Sequence, residues 1–497
     1  MPLATATRPA EARVLQRRLG APIDPLALYA ALSDHGRRAD TALFEGSDGL
    51  TLLMARAAVR AECRGGTIEY TALTANGHAL LAALGGGERL QLQFDPPGTL
   101  DAEERLLAPA PLHAVRSLLQ AALPPAADPF GVLALGVIGF DHAGFGEDMP
   151  PQQPNAAGFP DYLFWIPDEL VLFQPGAAPR LICTAFGGEE RHYHDAAGRL
   201  DRLLTASADV KPLAPPSPPG PAPVISTDLD DPAYRAVVER CQQAIAAGEV
   251  YQIVPSRTFS APCPDPLAAY QRLRMVETNG YRFFVAAPET TLLGASPETS
   301  VRLFREEGAL TVEVKPIAGT RPRGATPDED DRLEAEMRLD AKELAEHMML
   351  VDLARNDVAR ISLPGTRRVS RLLTVERYAR VMHLVSSVTG RLAIGFDAFD
   401  ALAACLNVGT LTGAPKVRAM QLLRELEATG RGPYGGAIGW VNGAGLMDTA
   451  VVIRSALVHE GIATVRAGAG VVQDSLPQAE ADETRRKASA LLGVLTQ

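Results

Sequence analysis

Residues 208–234 read ADVKPLAPPSPPGPAPVISTDLDDPAY, a density of proline that neither a helix interior nor a central strand tolerates. Proline has no N–H to donate and a fixed φ, so this stretch reads as an extended connector and divides the 497 residues. The division expected is an N-terminal region 1–207, a linker 208–230 and a second region 231–490. Before the connector, short apolar stretches such as RLQLQF and YLFWIPDELVLF, broken by Gly and Pro clusters, have the look of antiparallel strands. After it, AYRAVVERCQQAIAAGEV has helical apolar spacing, and YQIVPSRTFS, YRFFVAA and TLLGAS are strand-like. Strands and helices then alternate without regular βαβ spacing. The expectation is an α+β fold with large antiparallel sheets flanked by helices, not a doubly wound sheet.

Composition excludes several classes. A formal net charge of -11 with no Lys/Arg-rich run leaves no electrostatic footprint for nucleic acid. An anionic substrate would need a locally positive pocket against that field. The five cysteines, Cys63, Cys183, Cys241, Cys263 and Cys405, are scattered and odd in number, with neither metal-ligand spacing nor a disulfide framework. The longest apolar run, GVLALGVIGF, is too short to span a bilayer, and no signal-peptide core follows the early arginines. A cytoplasmic protein without membrane contact is expected.

Two Glu-x-x-Glu pairs carry the first chemical signal: Glu343/Glu346 in KELAEHMMLVDLARND and Glu480/Glu483 in DSLPQAEADETRRKA. Both segments have helical spacing, so each pair projects from one helix face and offers adjoining carboxylates. Together they suggest half of a cage for a hard cation such as Mg2+, which uses few protein carboxylates and completes its shell with water and an anionic substrate. The ordinary alternative is a solvated helix face, because Lys342/Glu346 and Glu483/Lys487 are i,i+4 ion pairs. Glycine-bearing turns follow in ASPETS, PIAGTRPRG, NVGTLTGAPKVRAM, RGPYGGAIGW and VRAGAGVVQDS. Such turns let a ligand approach the backbone, although each alone also serves as a tight turn between strands. None has the spacing of a phosphate loop or a dinucleotide fingerprint.

In their order, YQIVPSRTFSAPCPDP, GASPETS, PIAGTRPRG, ELAEHMMLVDLARND, VMHLVSSVTG, GTLTGAPKVRAMQLL, RGPYGGAIGW, VVIRSAL and AGAGVVQDSLPQAEADETRRKA resemble the chorismate-utilising enzymes, and among them the anthranilate synthase large-subunit family. The resemblance is dense from about residue 232 to 490 and thinner over the first 200. It implies large antiparallel sheets enclosing a central cleft for chorismate and magnesium. It implies direct magnesium ligation by Glu346 and Glu483, with Glu343 and Glu480 completing the acidic face. It implies that Tyr434 and Arg454, supported by the loop Gly468, Ala469, Gly470, bind the enolpyruvyl carboxylate, a task the bidentate guanidinium suits. Gly319, Thr320, Thr410 and Lys487 match further pocket positions. Glu298 matches the acid that protonates the departing C4 hydroxyl. His383, which by itself reads as a packed core histidine, matches a residue associated with pyruvate elimination. His347 faces elsewhere on its helix and reads as structural.

Two departures select a branch. Family members that add water to chorismate carry a lysine base where this chain has Gln252, and glutamine cannot act as a base. The aminodeoxychorismate branch has a lysine nucleophile where this chain has Ala318. Attack by ammonia at C2 and loss of pyruvate remain, so the resemblance implies a carbon–oxygen lyase making anthranilate for tryptophan biosynthesis or secondary metabolism. An aminodeoxyisochorismate synthase, which stops before elimination, and a silent chorismate-binding paralogue are the alternatives. No cysteine has the context of a glutaminase nucleophile, so a separate glutamine amidotransferase subunit, and hence a hetero-oligomer, is expected. For feedback by L-tryptophan, relatives show LLES and NPSPYMFF, whereas this chain reads LFEGSDG and NGYRFF. Among the inhibitor positions Glu45, Gly46, Asn279 and Tyr281, Gly46 replaces the serine and the loop from Asn279 to Tyr281 is two residues shorter with its prolines gone, so weak tryptophan sensitivity is expected.

Overall fold

Two long strands, Thr51–Arg64 and Tyr162–Phe173, pair antiparallel along their whole length and organise the molecule. Their register shifts repeatedly between Met54 and Val59, opposite Pro167. A proline that cannot donate to the ladder is accommodated at such an irregularity, and the bulged pair bends there. The two ends of the pair therefore feed two different sheet arms. The structure, a computed structural model, describes residues 12–95, 101–122, 128–155, 157–216, 224–278, 280–377 and 381–495.

The first arm runs from Arg13–Arg18 through Arg180–Ala185, one end of the long pair, Thr41–Glu45, Tyr281–Ala286, Thr290–Ser296, Ser455–His459 and Ile462–Gly468 to Ser256–Pro262. The second runs from Arg89–Gln93 through Thr67–Ala72, the other end of the pair, Leu133–Ile138, Ala437–Asn442, Met447–Val451, Thr299–Glu306 and Ala309–Val314 to Val381–Arg391. Ile317–Pro322 and Arg368–Arg377 also pair with that last strand. Every strand pair among the described residues is antiparallel.

The arms face each other across a core that includes Phe44, Leu52, Trp165, Phe283, Ile438 and Trp440. The outer face of the first arm is covered by helices Pro25–Leu32, Glu190–Ala208, Pro266–Val276 and Pro477–Leu495, which supply Tyr29, Leu200, Tyr270 and Leu491 to a second core. The outer face of the second arm is covered by Ala75–Ala83, Leu112–Ala121, Ala341–Ala359 and Ala398–Cys405, which supply Leu81, Leu118, Val351 and Leu402 to a third. The result is a helix–sheet–sheet–helix sandwich, the α+β class expected from the sequence.

Strands on both sides of the connector pair directly, Thr41–Glu45 with Tyr281–Ala286 and Leu133–Ile138 with Ala437–Asn442. Residues 217–223 of the connector lie outside the described residues. The amphipathic segment after it forms the helix Asp231–Ala246, capped by the Asp230 side chain. YQIVPSRTFS, read as one strand, is divided into Gln252–Ile253 and Ser256–Pro262 with Pro255 between them. All five cysteines are buried and none is in a disulfide. Among the described residues no helix is long and apolar enough to cross a membrane.

Candidate active site

The chain passes from one arm to the other at two neighbouring connections, between Ser296 and Thr299 and between Val451 and Ser455. They are stitched together by Val451 N–H donating to Glu298 O (3.0 Å) and Ala295 N–H donating to Arg454 O (3.1 Å). Glu298 and Arg454 thus stand side by side where regular pairing stops. Arg454 takes a left-handed backbone, φ 46°, an unusual conformation for a long side chain and a mark of a constrained position. The buried Glu298 carboxyl accepts from Thr410 Oγ1 at 2.8 Å. Burial pushes its pKa up from 4.5 to about 7, while Thr410, Lys487 and Arg454 pull it down. Near neutral pH such a group is present in both protonation states and can serve as a proton donor.

Thr410 is held by a network that no local sequence signal disclosed. Arg431 donates to Leu411 O (2.6 Å), Val254 O (2.7 Å) and both oxygens of Glu427, with its guanidinium 4.4 Å from the Phe140 ring centre. Glu427 also accepts from Arg466, from Ser256 N–H and from the Ser256 hydroxyl. These three charged side chains are buried yet almost fully hydrogen-bonded, which fixes the Gly409–Leu411 turn from below. Tyr434, three residues after Arg431, is buried with its pKa pushed up to about 12 by desolvation. Its hydroxyl meets Gly468, where an added Cβ would lie 3.1 Å from the oxygen. The Glu427–Ser256 link spans 171 residues, so only the fold brings it together.

His383 is on Val381–Arg391, opposite Thr320 on Ile317–Pro322, with a register shift between Ala318 and Thr320. Gly319, at φ +74°, forms that bulge. His383 Nδ1 is 3.0 Å from Thr320 Oγ1 and 3.2 Å from Gly319 O. A carbonyl can only accept, so Nδ1 carries the proton and Nε2 is the basic nitrogen of the neutral ring. Burial lowers the pKa of this histidine. His347 is different: buried, 2.6 Å from Ser386 Oγ, with its pKa pushed down to about 4, it is a packing residue.

The bulge presses toward the first acidic helix, since a Cβ on Gly319 would lie 3.4 Å from Glu343 Oε2. That helix starts at Asp340, whose carboxylate caps Lys342 N–H and Glu343 N–H. Glu343 pairs with Arg321 at 3.1 Å, whereas among the described residues Glu346 accepts only from Gln252 Nε2 at 3.1 Å. The second acidic helix buries Ala481, Thr484, Ala488 and Leu491 and is fastened by the buried Arg257, which donates to Thr484 Oγ1 and Ala481 O. On its other face Glu483 pairs with Lys487 at 2.8 Å, and Lys487 also donates to Gly468 O at 3.0 Å. The solvated-face pair Glu483/Lys487 thus forms. Lys342 and Lys487 each lower the pKa of carboxylates on the opposite helix, so the two acidic faces share one field.

Within that field Glu346 and Glu480 have pKa values raised by burial and by their acidic neighbours Glu343 and Glu483, whereas Glu483 is lowered by Lys487 despite its burial. Among the described residues no three His, Cys, Asp or Glu side chains approach closely enough to hold a metal ion. A closed cage is therefore absent. The donor chemistry still fits a hard divalent cation with an open shell: the under-compensated Glu346 and Glu480 lie in the fields of the same two lysines, and beside Glu346 the Gln252 Oε1 is buried without a hydrogen-bond partner.

Of the inhibitor positions, Asn279 lies outside the described residues. Glu45 is buried, and its Oε1 accepts from Arg274 (2.9 Å) and Arg282 (3.1 Å) while Oε2 accepts from Tyr270 (2.7 Å). Arg282 follows Tyr281 where the quoted NPSPYMFF motif has methionine. Tyr281 donates to Asp448 at 2.7 Å. A Cβ on Gly46 would lie 3.1 Å from Asp48 Oδ1 and from Leu50 O, so this turn is tight for a serine.

Comparison with known proteins matches residues 77–493 to a family model described as chorismate binding enzyme. The chain is 43% identical to anthranilate synthase component 1 of Escherichia coli, over 94% of each chain. It is 48% identical to the pyocyanine-specific anthranilate synthase component 1 of Pseudomonas aeruginosa, over 87% of this chain and 84% of that one. Among solved structures it is similar to anthranilate synthase component I from Streptococcus pneumoniae, with a TM-score of 0.71 and 30% identity over 89% and 92% of the two chains.

Proposed function

This chain belongs to the chorismate binding enzyme family, and we propose that within it the chain is the large subunit of an anthranilate synthase, converting chorismate and ammonia to anthranilate and pyruvate. The observation that carries this reading is Gln252 beside Glu346: its Nε2 is committed to that carboxylate and its amide cannot take a proton from water. Ala318, on the strand facing His383, offers no amine for a covalent adduct. Ammonia is then the nucleophile the chemistry leaves.

Glu298, oriented by Thr410, protonates the departing C4 hydroxyl. Arg454 and Tyr434, backed by Gly468, Ala469 and Gly470, receive the enolpyruvyl carboxylate, and Gly319, Thr320 and Lys487 line the remaining wall. His383, with Nδ1 turned to Gly319 O, presents Nε2 as the base for the proton lost when pyruvate leaves. Glu346 and Glu483, supported by Glu343 and Glu480, would hold magnesium, in competition with the ion pairs that Glu483 makes with Lys487 and Arg486. When bound, magnesium orients the ring carboxylate and stabilises the charge that develops as the hydroxyl departs.

Ammonia comes from a separate glutamine amidotransferase. Burial holds all five thiols of this chain above their usual range, which leaves no nucleophile for glutamine. Relatives named component 1 agree with a second component. Residues before the connector complete the sandwich and carry the regulatory pocket. There three donors already occupy most of the lone pairs of Glu45, so an amino-acid ammonium competes for what is left and tryptophan inhibits weakly. The pyocyanine-specific relative favours anthranilate supply to secondary metabolism.

The test is product analysis of the purified chain with chorismate, magnesium and an ammonium salt at mildly alkaline pH. Anthranilate fluorescence with equimolar pyruvate is expected, and glutamine should replace ammonium only after an amidotransferase is added. An aminated product without pyruvate would make the chain an aminodeoxyisochorismate synthase, and unchanged chorismate would make it a silent paralogue.

A further inference from the structure

Away from the Glu298 crossing, the bend in the long strand pair opens onto a second cavity of about 520 Å³, lined by Ala31, Leu32, Arg38, Arg56, Glu169, Arg202, Leu203 and Ala206. That volume is in the range of small-ligand pockets. Arg56 is the only exposed residue among the first nine of Thr51–Arg64, and it stands where the register with Tyr162–Phe173 shifts. A bulge that turns one arginine out of an otherwise buried strand aims that side chain at the cavity. Arg202 lies one turn beyond Arg199 on Glu190–Ala208, and Arg38 follows the helix Pro25–Leu32.

Charge separates this cavity from an ordinary solvated surface. Arg199 is consumed by the buried Asp168, at 3.1 Å. Arg38, Arg56 and Arg202 form no ion pair among the described residues, and Glu169 is the only carboxylate in the lining. Three exposed guanidiniums and one carboxylate line it, Arg56 and Arg202 acting through space on Glu169, on a chain whose net charge is -11. Guanidiniums gathered on the wall of one cavity against the global field suit a small polyanion, because each fork can bind a carboxylate or phosphate through two parallel hydrogen bonds.

We propose that this cavity is a second binding site, separate from the chorismate pocket, for a small molecule carrying at least two negative charges as phosphate or carboxylate groups. The proposal does not depend on the reaction assigned to the Glu298 crossing. Because the site joins the long pair to two covering helices, an occupant would brace the bend on which both sheet arms depend.

Calorimetric titration of the full chain without magnesium tests it, using inorganic pyrophosphate and citrate as probes at matched ionic strength. One saturable site for either probe is expected, weakened at least about tenfold in Arg56→Ala and in Arg202→Ala and retained in Arg454→Ala. The stronger probe identifies phosphate or carboxylate as the group recognised. Arg56→Ala should keep its ammonia-dependent activity, which shows that the fold survives. Equal affinity in the wild-type and Arg56→Ala chains, loss of binding in Arg454→Ala, or no saturable binding of either probe would overturn the proposal.

Discussion

Glu346 is a half-buried carboxylate and Glu45 a buried one, and their surroundings differ. Glu346 accepts a single neutral amide and has an acidic neighbour, so desolvation and Glu343 raise its pKa. Glu45 accepts from two guanidiniums and a tyrosine hydroxyl, one donor for almost every lone pair it can direct. A carboxylate left short of positive charge in a low-dielectric site is unfavourable until a cation arrives, whereas a saturated one gives up existing bonds to accept anything new. Glu346 is therefore left with acceptor capacity unused, whereas Glu45 is engaged by the protein itself.

The largest effect expected comes from removing one carboxylate of the acidic helices, either the under-compensated Glu346 or Glu483, which Lys487 and Arg486 already pair. Glu346→Gln or Glu483→Gln should lower magnesium-dependent turnover about 100-fold or more with an unchanged circular dichroism spectrum, because a site with few protein ligands has none to spare. Wild-type magnesium dependence in both variants would remove the contrast. His383→Met should slow pyruvate elimination by about 100-fold while amination is less affected, so that an aminated intermediate accumulates in a chromatographic time course. Equal loss of both steps would make His383 a general pocket residue.

The opposite side of the comparison is sharpened with tryptophan. Inhibition of ammonia-dependent activity should be at least about tenfold weaker than in a relative carrying LLES and NPSPYMFF, since each missing charge-assisted hydrogen bond costs on the order of 1.5 kcal/mol or more. Arg282→Met, which releases one donor from Glu45, should strengthen inhibition. Equal inhibition constants in the two enzymes would show that Glu45 is less committed than its bonds imply.

The smallest effect concerns stability. Glu298 has a folded pKa of about 7 against 4.5, so the folded state holds its proton more tightly than the unfolded chain does. Stability accordingly falls as pH rises between these values, and above pH 7 the full penalty applies, on the order of 3 kcal/mol. Glu298→Gln should therefore raise Tm by a few degrees at pH 8 and leave it unchanged near pH 4.5, while losing activity. A variant no more stable at pH 8 would mean that the carboxyl is better solvated than its burial implies.

The parts of this account legible in the sequence are those written locally. The acidic helices announce themselves by spacing, and the proline connector by composition. The order of the glycine-bearing motifs carries the family resemblance that the comparison with known proteins bears out. What the sequence did not disclose depends on distant partners: the Glu427–Arg431–Arg466 network under Thr410, Arg257 fastening the second acidic helix, and the donors on Glu45. Each is an arginine that could equally have been a solvated surface charge. The bend at Pro167 was hidden as well, because YLFWIPDELVLF reads as one strand and only its pairing with Thr51–Arg64 shows that it serves two arms.

The most direct test of the central contrast is a titration of Mn2+, a paramagnetic stand-in for magnesium, into the purified chain with anthranilate present, followed by electron paramagnetic resonance. One saturable site is expected in the wild-type chain and in Glu45→Gln, with at least about tenfold weaker binding in Glu346→Gln. Equal affinity in all three, or a loss confined to Glu45→Gln, would contradict the claim that the acidic helices hold the unmet demand for a cation.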